Sequence, residues 1–216
     1  DEASYREAAG SCRESLTFLH QKTPLGYGHA IALAREFVGG DYFLHLVGDH
    51  LYVSNSGQGC ARQLVEAADA NDCTISAVQS TRESNLHLYG TIGGRRVSGR
   101  KDWYEVERVL EKPTPTQAEQ SLVVPGLRAG HYLCFFGLHV LSPTVISILH
   151  GLLESADSPA SITLSRALDV LLAKEKVMAC EVSGDRRNIG ISYGTFQAQL
   201  ALALRGIDKA KVLADV

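Results

Sequence analysis

Nowhere does the chain hold an uninterrupted apolar run of about 18 residues, the length a helix needs to cross a bilayer, so no membrane-spanning helix is expected. A basic surplus is lacking too: 21 Lys and Arg stand against 24 Asp and Glu, a net charge of −3. A general nucleic-acid binder calls for the opposite balance, although a local basic pocket for a phosphate stays compatible with it. Cysteine is sparse and unpaired in pattern. Cys12, Cys60, Cys73, Cys134 and Cys180 are odd in number, scattered, and form no C-x-x-C pair. Neither a disulfide framework nor a zinc site is expected, and buried thiols in a reducing cytoplasm are. Residues Asp1 to Gly10 are polar and mixed in charge, unlike a secretory leader. Internal repeats, linkers and low-complexity tracts are also missing.

What is present fits a globular enzyme-sized chain. Its 216 residues, 45% hydrophobic and 21% charged, exclude disorder and imply one domain over residues 1–216. A chain of this length buries about 70% of the surface its unfolded form exposes. Three apolar runs read as buried strands: Leu16–Leu19, Tyr42–Val47 and Cys73–Val78. Helical patterns over Ala30–Phe37 and Gln63–Ala70 separate them, and strand alternating with helix implies parallel βαβ units. Further on, Gly93-Gly94 reads as a hairpin turn. Glu105–Leu110 reads as a strand ending at Pro113, and His131–Val140 as a long apolar strand. Ser142-Pro143 opens a helix to about Leu153, with Ser142 as its cap. Ser161–Lys174 is a helix with a wide buried face, Val177–Val182 a strand, Gly184–Gly190 a loop and Thr195–Leu204 a helix. The expected fold is a three-layer, Rossmann-like α/β domain with a mixed, mostly parallel sheet.

Two segments could carry chemistry on their residues alone. Gln21 to Ala30 joins a strand to a helix, and Gly26 and Gly28 let backbone approach a ligand there, or merely make the turn tight. Asp49 follows a buried strand at the end where open α/β sheets place ligands. It could hold Mg²⁺ between phosphates or cap the next turn. Gly57–Arg62 reads as the start of a helix capped near Ser56. His29, His45, His50 and His131 show no ligand spacing and read as structural.

Taken in order, these and later segments resemble the sugar-nucleotide pyrophosphorylases, in particular bacterial-type UTP–glucose-1-phosphate uridylyltransferases. Gln21 with Pro24-Leu-Gly-Tyr-Gly-His-Ala30 is followed by Val47-Gly-Asp-His50, then by Tyr89-Gly90. The stretch from Leu110-Glu-Lys-Pro113 to Val124 resembles the family's V-E-K-P-x-P block, and Phe136 to Pro143 its V-G-R-Y-V-L-S-P. Ser161 to Leu168 and Gly184 to Gly190 resemble G-E-I-Q-L-T-D-A-L and G-x-x-x-D-x-G. The resemblance implies a nucleotide-diphospho-sugar transferase fold and the formation of UDP-glucose and pyrophosphate from UTP and glucose 1-phosphate. It implies Mg²⁺ as cofactor, no nucleic-acid or membrane partner, a cytoplasmic location, and leaves room for a homo-oligomer.

By the same resemblance Gln21 and Gly26 match the positions that read uracil, and Asp49 the metal carboxylate. Gly90 and Glu111 match the sugar contacts, and Lys112 the cation on the sugar phosphate, with Asp49 and Lys112 the catalytic pair. Three departures stand out. The family's opening strand and glycine-rich basic loop have no counterpart before Gln21. Its second metal-binding Asp falls on Asn188. Leu138 replaces an arginine, and Thr163-Leu-Ser-Arg166 replaces Q-L-T-D. Two other readings therefore stay open: an inactive relative that binds a nucleotide, a sugar phosphate or a protein, and a thymidylyl- or guanylyltransferase.

Overall fold

Strand pairing in this chain centres on one long apolar segment. The computed structural model describes residues 15–158, 161–207 and 209–215; Cys12 and the polar segment Asp1–Gly10 lie outside them. In chain order the elements are helices α1 (Tyr27–Ala32) and α2 (Arg35–Val38), strands β1 (Phe43–Leu46) and β2 (His50–Ser54), and α3 (Cys60–Asp69). Next come β3 (Thr74–Arg82), a 3₁₀ turn over Glu83–Leu88, β4 (Gly90–Arg96), β5 (Trp103–Glu111), α4 (Pro115–Ser121) and β6 (His131–Leu141). Helices α5 (Thr144–Ser155) and α6 (Leu164–Leu171), strands β7 (Val177–Cys180) and β8 (Gly184–Asn188), and helices α7 (Gly194–Ala203) and α8 (Lys209–Asp215) complete it.

The main sheet has the order β1-β6-β3-β7-β5-β4, with a further pairing of β4 to β6. Its side chains alternate between two apolar layers. In β6, Leu133, Phe135 and Leu141 pack with α1, α5 and α6 through Ile31, Val145, Leu149, Leu164 and Leu168. Phe136, Leu138 and Val140 pack on the opposite face with Leu64 and Ala68 of α3. Strand β7 divides likewise, Val177 and Ala179 to one face, Met178 and Cys180 to the other. Both faces are covered, which is why these strands show no polar stripe. The expected three-layer mixed α/β fold is what is found.

The sheet is mixed, but most of its described pairings are antiparallel. Only β3–β7 runs parallel among the described residues, while β6 runs against β1, β3 and β4, and β5 against β4 and β7. Local alternation of strand and helix encodes crossovers only when successive strands become neighbours. Here β6 sits between strands from early in the chain, information that no local pattern contains.

Several element boundaries differ from expectation for physical reasons. Leu16–Leu19 is not a strand. Leu16 and Leu19 are 37% and 49% exposed, so the run is not buried as a strand covered on both faces would be. Gly93-Gly94 lies inside β4, at a register shift against β5, and the turn falls beyond Val97. A Cβ on Gly93 would sit 2.7 Å from Leu122 Cα, and one on Gly94 against the Glu105 carbonyl, so these glycines serve close packing. Helix α3 begins at Cys60 with Gly59 as its N-cap, while the Ser56 hydroxyl, expected as the cap, closes a local turn by accepting from the Gln58 N–H and donating to the Gln58 carbonyl. Helix α5 starts beyond Ser142, whose hydroxyl is buried without a partner, and makes no side-chain cap. Gly184–Asn188, expected as loop, is a strand. It pairs antiparallel with β2 in a separate two-stranded ribbon, whose charged residues conceal it from a hydrophobicity pattern.

Candidate active site

The far edge of β6 is shared by two strands. Strand β1 pairs with Leu138–Leu141 and β4 with Leu133–Cys134, which leaves Phe135–Gly137 unpaired on that side. Gly137 adopts φ 90°, a conformation that favours glycine, and a Cβ there would lie 2.5 Å from His50 Nδ1 and 2.7 Å from the Tyr52 hydroxyl. Its carbonyl accepts from the Val47 N–H at 3.1 Å and from the Tyr52 hydroxyl at 2.7 Å. A cavity of about 130 Å³ opens over this gap, lined by Tyr27, Val47, His50, Tyr89, Gly90, Glu111, Phe135, Gly137, His139 and Ser165 among others. Open α/β sheets bind ligands where neighbouring strands part in this way.

One wall carries Gly90 and Glu111, which stand opposite each other in the β4–β5 register. Gly90 is buried, and a Cβ on it would meet the Ser165 hydroxyl and lie 2.7 Å from the Phe135 ring. The Ser165 hydroxyl donates to Glu111 Oε2 at 2.5 Å, which fixes one carboxylate oxygen. Lys112 follows with φ 45°, one of four non-glycine residues with positive φ among the described residues. Its N–H donates to the Tyr89 carbonyl at 3.1 Å. Such backbone strain outside glycine concentrates at functional positions. The Lys112 side chain is exposed and does not line the cavity itself.

The opposite wall is the start of β2. The exposed Asp49 carboxylate lies 3.9 Å from His50 Nε2, and the Asp49 carbonyl accepts from the Ile189 N–H at 2.8 Å. Through the β2–β8 register, Asn188 stands opposite His50. A Cβ on Gly190 would be 2.9 Å from Asp49 Oδ2 and 3.3 Å from Asn188 Oδ1, so the two side-chain oxygens converge on one spot. Asn188 Oδ1 also accepts from the Gly190 N–H at 2.9 Å, which fixes its amide. One carboxylate and one amide oxygen form a hard oxygen donor pair. That set fits Mg²⁺, which takes one or two protein oxygens and fills its remaining positions with water and phosphate. Among the described residues no group of three or more His, Cys, Asp or Glu is placed to hold a metal.

Gly26 caps the start of helix α1, next to the lining residue Tyr27, and Gln21 bonds to it. Gly26 has φ 93°. The Gln21 amide nitrogen donates to the Gly26 carbonyl at 3.0 Å and meets His29 Nδ1 at 2.8 Å. Gly28 packs against Ile162, its N–H donating to the Ile162 carbonyl at 3.1 Å, so a tight turn and a ligand-facing loop coincide here. The next residue, Tyr27, places its hydroxyl 2.6 Å from His45 Nε2. Burial lowers the His45 pKa to about 4 and that of His139, which faces it across β1–β6, to about 3. Both are therefore neutral, and the Tyr27 hydroxyl donates. Desolvation, then the Glu111 charge, raises the Tyr27 pKa.

Of the positions expected from the sequence, Gly90 and Glu111 line this cleft; Gly26, Asp49 and Lys112 each adjoin a lining residue in the chain, Asn188 stands opposite the lining residue His50, and Gln21 bonds to the Gly26 carbonyl. Ser165, Tyr27, His50 and Gly137 were not singled out as cleft residues, although each lies in a stretch that carries the family resemblance.

Both fold and motif order point to nucleotidyl transfer, and the comparison of sequences agrees. The pattern of the nucleotidyl transferase family matches residues 3–185, and the chain belongs to that family. Over 190 residues it is 30% identical to UTP–glucose-1-phosphate uridylyltransferase YngB of Bacillus subtilis, covering 88% of this chain and 58% of that protein. Identity is also 30% over 191 residues to UTP–glucose-1-phosphate uridylyltransferase 2 of Staphylococcus saprophyticus, covering 88% of this chain and 60% of that one. The chain thus spans about three-fifths of the length of these curated relatives. The fold is shared with a crystallised UDP-glucose pyrophosphorylase in complex with UDP-glucose, at TM-score 0.75 and 22% identity over 94% of this chain and 74% of that one. It is shared as well with the Acinetobacter baumannii UDP-glucose pyrophosphorylase, at TM-score 0.72 and 19% identity over 99% and 75%.

Proposed function

We propose that this chain carries the sugar-phosphate and metal side of a uridylyltransferase that makes UDP-glucose and pyrophosphate from UTP and glucose 1-phosphate. One observation supports the reading: Gly90 and Glu111 line the cavity together with His50, and His50 stands next to Asp49 and opposite Asn188, whose side-chain oxygens converge near Gly190. The names of the relatives support the choice of substrates. In the reaction, a phosphate oxygen of glucose 1-phosphate attacks the α-phosphorus of UTP. The bond from that phosphorus to the oxygen bridging to the β-phosphorus breaks, and pyrophosphate leaves with the electron pair. No proton need be removed from the attacking phosphate, so alignment and charge stabilisation do most of the work.

Each residue then has a task. Gln21 has its amide nitrogen engaged, which leaves its oxygen to accept from the uracil N–H, beside the Gly26 backbone. Gly90 makes room for the sugar ring, and Glu111, held by Ser165, accepts from sugar hydroxyls. Lys112 neutralises the sugar phosphate. Asp49 and Asn188 would hold Mg²⁺, which when bound neutralises phosphate charge. The buried, unpaired thiols of Cys60, Cys73, Cys134 and Cys180 suit a cytoplasmic location. Among the described residues no helix is long and apolar enough to cross a membrane.

The test is pyrophosphate release from UTP and glucose 1-phosphate with Mg²⁺. Asp49→Asn should lower the rate about 10²–10³-fold, the usual loss for a group that stabilises transition-state charge, while the melting temperature holds because the carboxylate is exposed. Asp49→Asn at full rate would remove Asp49 from the site. Binding of both substrates without pyrophosphate would identify instead an inactive binder, the reading that Asn188 favours.

A further inference from the structure

Arg186 has no part in the chemistry just described, yet its position is unusually constrained. It lies on β8, half-buried, and opposes Tyr52 in the β2–β8 register. Its guanidinium carbon sits 3.8 Å from the centre of the Tyr89 ring and 6.0 Å from that of Phe136. One terminal nitrogen donates to the Phe135 carbonyl, in the stretch of β6 that neither β1 nor β4 pairs. Among the described residues no carboxylate forms an ion pair with it. Partly burying a guanidinium without a counter-charge is costly, and what it has instead is Tyr89, through its ring face and a side-chain hydrogen bond, and the Phe135 carbonyl.

Arg186 is not among the residues lining the cavity. One face is covered by Tyr89 and one donor is spent on Phe135, so the side chain lies behind the cleft wall. What it touches is nonetheless central to that wall. Tyr89 precedes Gly90, and its carbonyl accepts the Lys112 N–H that sets the strained turn after β5. Two residues beyond Arg186 on the same strand is Asn188. A single side chain therefore joins the ribbon bearing Asp49 and Asn188 to the corner bearing Gly90 and Lys112.

We propose that Arg186 is a positioning residue, a strut that clamps Tyr89 from behind and so holds Gly90 and the Lys112 main chain in register with the β2–β8 ribbon. The functional part of this proposal rests on the uridylyltransferase reading; the mechanical part stands on geometry alone. Arg186→Lys keeps the charge but loses the planar face that stacks on Tyr89 and the forked donors, and Arg186→Met keeps only bulk.

Hydrogen exchange in the ligand-free chain, read residue by residue, tests the mechanical part. Both variants should speed exchange of the Lys112 amide tenfold or more, while the amides of β3 keep their protection. Unchanged Lys112 exchange overturns the proposal. So does a uniform rise across the chain, or failure of both variants to fold, which would make Arg186 a general stabiliser. Calorimetry with glucose 1-phosphate and with UTP tests the consequence. Arg186→Lys should weaken glucose 1-phosphate about tenfold and UTP less than twofold, and should add nothing further in a Tyr89→Leu background, as expected of two residues acting as a unit. Equal losses for the two ligands, or independent losses from the two substitutions, overturn it. If the unsubstituted chain binds neither ligand, the uridylyltransferase reading fails, and the exchange measurement still decides the strut.

Discussion

Asn188 puts an amide oxygen where the family pattern has a carboxylate, against a partner carboxylate that converges on the same point above Gly190. A full charge about 4 Å from a cation is worth roughly 4 kcal/mol at an effective dielectric of about 20, before desolvation removes much of it. Asn188→Asp should therefore tighten Mg²⁺ in the presence of UTP by about tenfold, read by calorimetric titration. An unchanged affinity would show that Asn188 does not share the ion with Asp49. A second residue-scale consequence concerns pH. His45 and His139 are kept neutral by burial, with pKa values near 4 and near 3 against 6.5 for a free imidazole. Below pH 6.5 the unfolded chain takes up protons that the folded chain refuses, so stability falls as pH drops from about 6.5 toward 4. Between pH 7 and pH 5 the pair should cost roughly 2–4 kcal/mol, measured as a shift in urea midpoint. His139→Gln should flatten that dependence, with His139 Nδ1 now 2.8 Å from the Ser76 hydroxyl.

At the level of elements, what could be read from the sequence divides by how local its cause is. Strands β6 and β7 and helices α3, α5 and α6 were legible because each shows an apolar run or period in its own residues. Helix α4 is capped by Thr114 and Gln117 in a reciprocal box, a cause confined to four residues. Leu16–Leu19 looked equally strand-like, yet apolar residues make a strand only when a ladder partner lies alongside. Strands β2 and β8 were hidden for the opposite reason: Gly184-Asp-Arg-Arg-Asn188 pairs well with β2 but shows no apolar alternation. Part of the cleft was legible through motif order: Gly90 and Glu111 line it, while Asp49, Lys112 and Asn188 adjoin residues that do. Arg186 and Gly137 were not, because their roles depend on contacts about 50 or more positions away. The Gly93-Gly94 pair gives a stability test: a two-residue hairpin turn would need these glycines for positive φ, whereas in β4 neither has it and a new methyl on Gly93 meets Leu122 Cα and the Ser121 carbonyl. Overpacking of this kind costs about 1–3 kcal/mol. Gly93→Ala should then lower Tm by roughly 4–8 °C, seen by thermal denaturation.

On the scale of the whole molecule, the two walls of the cleft belong to separate parts of the strand framework, the β2–β8 ribbon and the β4–β5 pair. A ligand that spans them must stabilise both at once. UDP-glucose at about a hundred times its Kd should add about 2.7 kcal/mol to the folded state and raise Tm by roughly 5–10 °C. UTP or glucose 1-phosphate alone at the same multiple of its own Kd should give a comparable shift only if it too binds the native cleft, a control that differential scanning fluorimetry provides directly. The division of the β6 edge also turns that strand into a ruler. Strand β1 ends its pairing at Leu138 and β4 begins at Cys134, and at about 3.4 Å per residue the interval is roughly 14 Å. The gap between the β1 and β4 pairings is therefore set by counting residues in one extended segment rather than by the length of any loop. Loops around the cleft can lengthen or shorten without altering it. Inserting or deleting a single residue between Cys134 and Leu138 would change the interval by one step and turn every following side chain to the other face of the sheet. Apart from Gly137, whose positive φ and close neighbours admit no side chain, this stretch should accept apolar substitution far more readily than any change of length.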